Sequence, residues 1–449
     1  MCNHYHPLSI DDPQGHQPDR PITWTRRGLL QAGMTMMATA ASVPAFLSST
    51  SDALAQSAPR GAVNTPGVPD GRVLVVVQLS GGNDGLNTVA PVGSRAYYDA
   101  RRNIAIPESQ ALLIDNRGIG LHPSLQPIHD LIANRTAGII QGVGYPNPNR
   151  SHFASMDIWH TADTTGGRGA GWIGKAFDAA ATAGDDPGMG CITIGNEAPM
   201  ATHGRSFKPI AFENADLFRW TGADLHPAVA STYKDMQSAD AATNAAPDDP
   251  SLDAMTDFVR RTAMDAQVAS KKVRKAVAAD TRTNFPGHAL ARQLRSVATM
   301  IRAELPTRVY YVTMGGFDTH ANQQGRHNQL MRQFAESVGA FQAELDATGH
   351  ADRVVTVAFS EFGRRVAQNA SAGTDHGAAG PVFVFGPTVK ERIVGSHPSL
   401  TDLDRGDLKY KIDFRQVYAE LLDNWLRLDS TAALGKRYRH PGILNYSAA

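Results

Sequence analysis

The stretch VLVVVQLSGGNDGLN, residues 73–87, decides the fold class of this chain. Its first seven residues form a nearly continuous apolar run of β-forming side chains, which is typical of a strand buried on both faces of a sheet. The run stops abruptly at SGGNDG, although packing alone gives a core strand no reason to end in glycines, an amide and a carboxylate. Glycines let a backbone turn sharply and approach a ligand closely, so this strand end is a candidate site.

Further apolar runs of the same kind predict strands at wide spacing along the chain, at 138–143, 191–194, 308–314, 353–359 and 381–385. Helical patterns lie between several of these runs. The clearest has an apolar stripe that Gly349 ends, formed by Leu330, Phe334, Val338, Phe341 and Leu345. Strand, helix and strand in that order predict an α/β fold, with a mostly parallel sheet and helices on both faces.

The middle of the chain follows a different pattern. Residues 215–305 contain no convincing strand, and 238–253 form a connector of small residues interrupted by proline. The segments 252–278 and 287–305 have helical patterns. We interpret 215–305 as a helical insertion at the edge or over the rim of the sheet, and not as a separate domain.

The overall composition limits the classes of partner. In the 449 residues, Lys+Arg and Asp+Glu both number 43, so the formal net charge is zero. Nothing in this balance indicates a nucleic-acid partner or an anionic membrane surface. The phosphate-binding loop of nucleotide triphosphatases is absent, as is the G-x-S-x-G elbow of serine hydrolases.

The first 55 residues have the pattern of an export signal. Residues 1–24 are polar, and Arg26-Arg27 then precede an uncharged, mildly apolar run with Ala53 and Ala55 near its end. This pattern matches a cleavable twin-arginine signal, with the mature chain starting near Gln56 and a linker at 56–71. A transmembrane anchor is the alternative, although Thr, Ser, Gln and Pro44 dilute the run. We therefore expect the twin-arginine translocase as a partner, a periplasmic or secreted location and no stable membrane anchor.

Acidic and imidazole side chains follow the predicted strands. In open α/β sheets, ligands lie beyond the carboxyl ends of the strands. Three carboxylates and two histidines reach that edge from four segments of the chain: Asp84, Asp318, His320, Glu361 and His376. Taken singly, a strand-end Asp is often a turn or cap residue, and a lone His is often a hydrogen-bonded core residue.

Together these residues predict a metal site, because clustered like charges repel unless cations neutralise them. The mixture of imidazole and carboxylate suits Zn²⁺ or Mn²⁺, as one or two ions. Export in the folded state, often with a loaded cofactor, favours the same interpretation. The chain after the signal keeps a single cysteine, Cys191, so an intramolecular disulfide is excluded and a cysteine-based metal site is disfavoured.

Ser151 precedes a helix-like segment and is a candidate nucleophile. A metal beside its hydroxyl would lower the pKa of that hydroxyl, and the helix N-terminus favours an anion. Arg150 and Arg364 could hold phosphate or sulfate oxygens, and His152 could act as an acid for the leaving group. The alternative is that Ser151 is an ordinary structural N-cap.

Five motifs behind the twin-arginine pattern occur in an order that resembles a known bacterial family: QLSGGNDGLNTVAP, NRSHFASMDIW, GGFDTH, FSEFGRRVAQN and GTDHGAAGPVFVFG. They resemble the domain-of-unknown-function 1501 family of the alkaline phosphatase and sulfatase superfamily, over about Arg72 to Asn445. The resemblance implies a doubly wound, alkaline-phosphatase-like domain at 72–445. It also implies two adjacent metal ions and a nucleophile at the start of a helix.

The same resemblance implies roles for individual residues. Asp84 and Glu361 resemble the ligands of one metal, and Ser151 resembles the nucleophile. The residues that resemble the ligands of the other metal are Asp318, His320 and His376. Two departures from the superfamily pattern are the two-residue spacing of Asp318 and His320, and Phe362 in place of a His after Glu361. One metal is then short of a ligand, which leaves three options: His327 substitutes, Asp375 substitutes, or a single ion binds.

These observations predict an exported metal-dependent hydrolase of phosphate or sulfate esters, with a metal-activated serine and a small-molecule or polymer-linked substrate. The sulfatase signature is missing around Ser151, which disfavours a conventional sulfatase. The alternative is a non-catalytic exported binding or assembly protein that keeps the fold and at most a structural metal. A redox enzyme is a weaker third option because no flavin, haem or dinucleotide motif occurs.

Overall fold

The apolar run at residues 73–79 forms a strand near the middle of a nine-stranded sheet. The computed structural model describes residues 71–166, 169–183, 190–213 and 270–445. The predicted signal and nearly all of the linker lie outside these residues, as does residue range 215–269 of the predicted insertion.

The strands include every run that the sequence pattern predicts. Their bounds are β1 Val73–Leu79, β2 Val89–Ala90, β3 Leu112–Leu113, β4 Gly120–Leu121, β5 Ala137–Gly144, β6 Cys191–Ile194, β7 Ile210–Phe212, β8 Val309–Met314, β9 Val354–Phe359, β10 Gly380–Phe385, β11 Ile393–Val394, β12 Leu403–Asp404, β13 Asp407–Leu408 and β14 Ile412–Asp413. The short strand β7 was not predicted, because three residues carry too little pattern to distinguish a strand from a loop.

The helices connect and cover these strands. Their bounds are α1 Gly85–Thr88, α2 Arg95–Ala100, α3 Gln126–Ala133, α4 His152–Thr161, α5 Trp172–Thr182, α6 Ala289–Arg302, α7 Gln323–Thr348, α8 Phe414–Glu420 and α9 Ser430–Leu434. Residues 270–277 are also helical. Helix α7 contains the predicted apolar stripe and ends at Gly349, which adopts a φ of 75°. None of the helices in the described ranges is both long and apolar enough to cross a membrane.

The large sheet is mostly parallel, which confirms the predicted α/β class. Its strand order is β11-β5-β10-β9-β1-β8-β6-β7, and β14 pairs with β5. Strand β10 alone runs against its neighbours, being antiparallel to both β5 and β9. The loop that enters β10 therefore lies at the same edge as the loops that leave β1, β5, β8 and β9.

Both faces of the sheet are buried, which explains why the strand runs are continuous and not alternating. In β1, Val75 and Val77 belong to one hydrophobic cluster and Leu74 and Val76 to the other. Helices α3, α6 and α7 pack on the first face, and α4, α5, α8 and α9 on the second. Helix α6, from the end of the predicted insertion, thus contributes to the core.

Candidate metal centre

The two glycines that follow β1 let three loops meet at the carboxyl edge of the sheet. Gly81 and Gly82 have φ values of 118° and 71°. A Cβ on Gly81 would lie 2.5 Å from the backbone nitrogen of Asp318, and one on Gly82 would lie 2.3 Å from the ring of Phe362. Only glycine tolerates both this conformation and this close approach. The first strand is therefore followed by glycines because the loops after β8 and β9 pack directly against the backbone there.

One carboxylate oxygen, Oδ1 of Asp318, is the centre of a cluster of imidazoles. The Nε2 atoms of His320, His376 and His152 lie 2.9, 3.1 and 3.4 Å from it. His320 Nε2 also lies 2.8 Å from His376 Nε2. The possible ligand atoms of His152, Asp318 and His376 all lie within 4.8 Å of one another. The structure therefore brings together residues from the start of α4, from the loop after β8 and from the loop before β10.

The far ring nitrogens of these histidines face hydrogen-bond acceptors. His376 Nδ1 donates to the carbonyl oxygen of Arg150 at 2.7 Å, which leaves a lone pair on its Nε2. His152 Nδ1 lies 2.8 Å from Glu361 Oε1, and His320 Nδ1 lies 3.3 Å from Asp375 Oδ1. Metal-binding histidines characteristically use the second nitrogen in this way, which fixes the tautomer and the ring orientation.

Arg364 holds the loops of the cluster together. Its buried guanidinium donates to the carbonyl oxygens of Gly81, Gly82, Phe317 and Thr374, and Nη2 donates to Asp318 Oδ1 at 2.7 Å. The predicted role of Arg364 in holding substrate oxygens therefore differs from what the structure shows, since all three of its nitrogens are engaged inside the protein.

The charge of Asp318 is stabilised by its neighbours. Partial burial would raise the pKa of this carboxyl, but the hydrogen bond and charge of Arg364, together with the adjacent imidazoles of His376 and His320, hold the pKa well below its usual range. Asp318 therefore stays ionised and can act as an oxygen ligand.

Two predicted ligands lie outside the group of close ligand atoms. Glu361 is 1% exposed and accepts hydrogen bonds from the Gly81 amide and the Ser360 hydroxyl, so it stands behind His152. Asp84 is fully buried and pairs with Arg101, whose Nη1 lies 2.5 Å from Oδ2. The charge of Asp84 is thus balanced by a guanidinium, where the sequence analysis expected a metal.

Electrostatics supports the Asp84–Arg101 pairing. Burial alone would raise the pKa of the Asp84 carboxyl, but the charge and hydrogen bond of Arg101 outweigh it and lower the pKa. Gln323 also donates to Oδ2 of Asp84. His327, an alternative ligand in the sequence analysis, lies in this network, with Nε2 3.3 Å from Asn83 Oδ1.

Arg150 and Ser151 immediately precede His152 in the sequence. Ser151 is exposed at the start of α4, as predicted, and its side chain makes no cap hydrogen bond to the helix. The guanidinium of Arg150 is held by Asp407, whose Oδ2 accepts from Nε and Nη2 at 2.9 and 2.5 Å.

The sequence analysis did not identify Arg101 or Asp407, the partners of Asp84 and Arg150. Neither residue stands in a pattern that distinguishes it from a surface charge. Only the folded chain brings Asp407 beside Arg150, which precedes it by 257 residues.

The side chains of the cluster fit a divalent cation. Zinc lies 2.0–2.1 Å from imidazole nitrogen, which places two ligand atoms of a tetrahedral ion about 3.3 Å apart. The contacts around Asp318 Oδ1 span 2.9 to 3.4 Å. His152 Nε2 is buried without a hydrogen-bond partner, as expected of an atom positioned for a cation. The structure thus contains a candidate His/Asp metal site.

A family model described as "Protein of unknown function (DUF1501)" matches residues 72–433. The chain belongs to this family. The DUF1501 match contains the strands of the large sheet and every residue of the cluster. The resemblance noted from the five motifs is therefore confirmed at the level of the family.

No curated protein matches the chain. The crystal structure of the lipoteichoic acid synthase LtaP from Listeria monocytogenes aligns with a TM-score of 0.30 and 9% identity, over 77% of this chain and 72% of that chain.

Proposed function

We propose that this DUF1501 protein is an exported metal-dependent hydrolase of phosphate or sulfate esters, built on an alkaline-phosphatase-like domain. The observation that carries the proposal is the group of imidazole nitrogens around one ionised carboxylate oxygen, adjacent in the chain to an exposed serine. The substrate is a small-molecule or polymer-linked ester.

In this proposal Asp318, His320 and His376 hold a single divalent cation, zinc or manganese. When bound, such a cation supplies positive charge that lowers the pKa of a nearby hydroxyl and stabilises a leaving oxygen. The residues behind the ligands maintain the geometry: Asp375 and the carbonyl of Arg150 orient two imidazoles, and Arg364 fixes the carboxylate.

The proposed nucleophile is Ser151. Its hydroxyl is exposed and free of a capping role, and the peptide N–H groups of the first turn of α4 favour an anionic ester group there. Arg150 is partly exposed and pinned on one side by Asp407, so its outer edge can contact an ester oxygen. The Ser151 hydroxyl loses its proton to solvent as its oxygen bonds to the phosphorus or sulfur atom, and the ester oxygen leaves from the opposite side and takes a proton from water. Water then hydrolyses the seryl ester, which releases phosphate or sulfate and restores Ser151.

Export is part of the proposal. The Arg26-Arg27 pattern and the following apolar run suit passage through the twin-arginine translocase, and cleavage near Gln56 would release the protein into the periplasm or medium. The chain would then fold and load its metal in the cytoplasm before it crosses the membrane.

Metal analysis tests the centre first. Protein that starts at Gln56 and is purified without added metal should contain one equivalent of zinc or manganese. His376→Ala should lose it, whereas the control His129→Ala, at a partly buried histidine of α3 that contacts the Leu113 carbonyl, should keep it. A chelator should also lower the melting temperature, because an ion that binds the native state stabilises it. Absence of metal, with a melting temperature that a chelator does not change, would contradict the proposal and favour a non-catalytic binding or assembly protein.

Turnover tests the chemistry. We expect the metal-loaded protein to hydrolyse aryl phosphate monoesters, phosphate diesters or aryl sulfates, and Ser151→Ala to lower kcat by a factor on the order of 10³ or more. The matched control is Ser109→Ala, an exposed serine in a separate turn. Full turnover by Ser151→Ala would remove Ser151 as nucleophile and leave the metal centre standing.

A further inference from the structure

We infer that His152 is a ligand of the metal centre, held in position by Glu361, and not the acid that protonates a leaving group. The inference rests on the proposed function only in requiring a cation at the Asp318 cluster. It changes the roles of two residues and adds a ligand to the single proposed ion.

The first observation concerns the ring nitrogen that faces the cluster. His152 Nε2 is buried, has no hydrogen-bond partner and lies 3.4 Å from Asp318 Oδ1. A buried polar atom without a partner costs free energy and calls for a compensating ligand. The same burial keeps a proton on Nε2 from reaching a leaving group in solvent.

The second observation concerns the opposite nitrogen. His152 Nδ1 lies 2.8 Å from Glu361 Oε1, and the carboxylate of Glu361 also accepts from the Gly81 amide and the Ser360 hydroxyl. A carboxylate with this set of donors accepts the Nδ1 proton, so the lone pair remains on Nε2 toward Asp318. Glu361 is therefore a positioning residue, acting on the cation through the imidazole.

Packing restricts the ring to this orientation. The imidazole of His152 packs against the rings of Phe362 and His376, with centroid separations of 4.9 and 4.3 Å, and those two rings also contact each other at 4.9 Å. Glu361 is 1% exposed, so its carboxylate cannot move to solvent without disrupting the contact of the three loops. The ring is thus preorganised before any cation arrives.

The remaining candidate ligands do not form a second centre. Oδ2 of Asp84 is paired with Arg101, and Oε1 of Glu361 is paired with His152. Within the described ranges, His152, Asp318 and His376 form a set of three such side chains close enough to share an ion. His320 adjoins it through its contacts with Asp318 and His376. This arrangement favours a single ion at the Asp318 cluster.

Cobalt binding tests the inference without relying on turnover. Metal-free protein is titrated with Co²⁺, and visible absorption and chelator competition report the ligand set and the affinity. His152→Ala should shift the absorption bands and weaken Co²⁺ binding by more than about 100-fold, and Glu361→Gln should weaken it by about 10–100-fold. Added imidazole should restore part of the wild-type spectrum to His152→Ala, which a purely structural role would not do. His129→Ala is the control.

The possible outcomes separate the two proposals. Wild-type affinity and spectrum in His152→Ala overturn the inference alone. If that variant fails to fold, the near-isosteric Glu361→Gln decides, and unchanged affinity there overturns the inference. A wild-type protein that does not bind Co²⁺ overturns both proposals, whereas one that binds it through His152 but hydrolyses no ester overturns only the hydrolase.

Discussion

At the scale of single residues, the partner of a carboxylate decides what the carboxylate does. Asp84, Asp318 and Glu361 all follow core strands, so they look equivalent in sequence. In the folded chain Asp84 meets the guanidinium of Arg101, Asp318 meets three imidazoles as well as the guanidinium of Arg364, and Glu361 stands behind one of those imidazoles. Only Asp318 presents an oxygen to several imidazole nitrogens at once, and this makes it the candidate ligand.

The buried pair of Asp84 and Arg101 gives a prediction about stability. Arg101→Met leaves the charge of Asp84 uncompensated in a site where both side chains are fully buried. Removing one partner of a buried pair costs about 3–5 kcal/mol, and we expect the free energy of unfolding to fall by that amount. Urea denaturation of metal-free protein measures it.

A control variant and a double variant accompany this prediction. Arg102→Met, at the exposed neighbouring position, should change the free energy of unfolding by less than about 0.5 kcal/mol. Adding Asp84→Asn to Arg101→Met should recover part of the loss, because it removes the uncompensated charge. A single Arg101→Met variant as stable as the wild type would mean that something other than Arg101 balances Asp84.

At the scale of elements, the direction of one strand completes the site. Strand β10 runs antiparallel to β9, so its entry loop places His376 beside Asp318, which follows β8. In a parallel orientation the entry loop would lie at the opposite edge of the sheet. The apolar run of β10 resembles those of its parallel neighbours, so the sequence pattern predicts the strand but not its direction.

Helix α7 gives a prediction at this scale because its apolar stripe covers one face of the sheet. Phe334 is fully buried, and its ring lies 5.9 Å from that of Phe383 in β10. Phe334→Ala should lower the free energy of unfolding by about 3–5 kcal/mol, through lost burial and the cavity left behind. The exposed neighbour Arg332→Ala should change it by less than about 0.5 kcal/mol. Equal effects of the two substitutions in urea denaturation would contradict the packing of α7 on the sheet.

At the scale of the whole molecule, two buried histidines make stability depend on pH. Burial lowers the pKa of His160, which contacts Gln78 and Tyr311, from 6.5 to about 4. Burial, followed by the charge of His122, lowers the pKa of His327 to about 3. The unfolded chain therefore binds protons at these positions at a higher pH than the native protein does.

The sign of the effect follows from this difference. Above pH 6.5 the two histidines leave the free energy of unfolding undiminished. They lower it progressively as the pH falls from 6.5 toward 4. We expect each to reduce the free energy of unfolding by up to about 1.4 kcal/mol per pH unit over that range. Urea denaturation of metal-free protein between pH 7.5 and 5 measures the slope, and His160→Gln should make it shallower by the share of one histidine. Identical slopes for wild type and His160→Gln would show that His160 is not buried as a neutral ring.

Much of the fold could be predicted because hydrophobic patterns are local. The strands β1, β5, β6, β8, β9 and β10 and the stripe of α7 each lie within one short stretch of chain, where side-chain type and spacing indicate burial. The same stretches indicate which strand ends carry acids and imidazoles. The membership of Asp318, His320 and His376 in one cluster could therefore be predicted together with the α/β class.

Sequence by itself thus determined the α/β class, the core strands and the edge of the sheet at which reactive side chains gather. Only the tertiary structure decided the direction of β10, the pairing of Asp84 with Arg101, and the placement of Glu361 and Arg364 behind the cluster. The physical reason is the separation along the chain of the residues that determine each property. Burial is set by neighbouring residues, whereas a hydrogen-bond partner is set by where distant segments meet, as when Arg364 contacts Gly82, 282 residues before it.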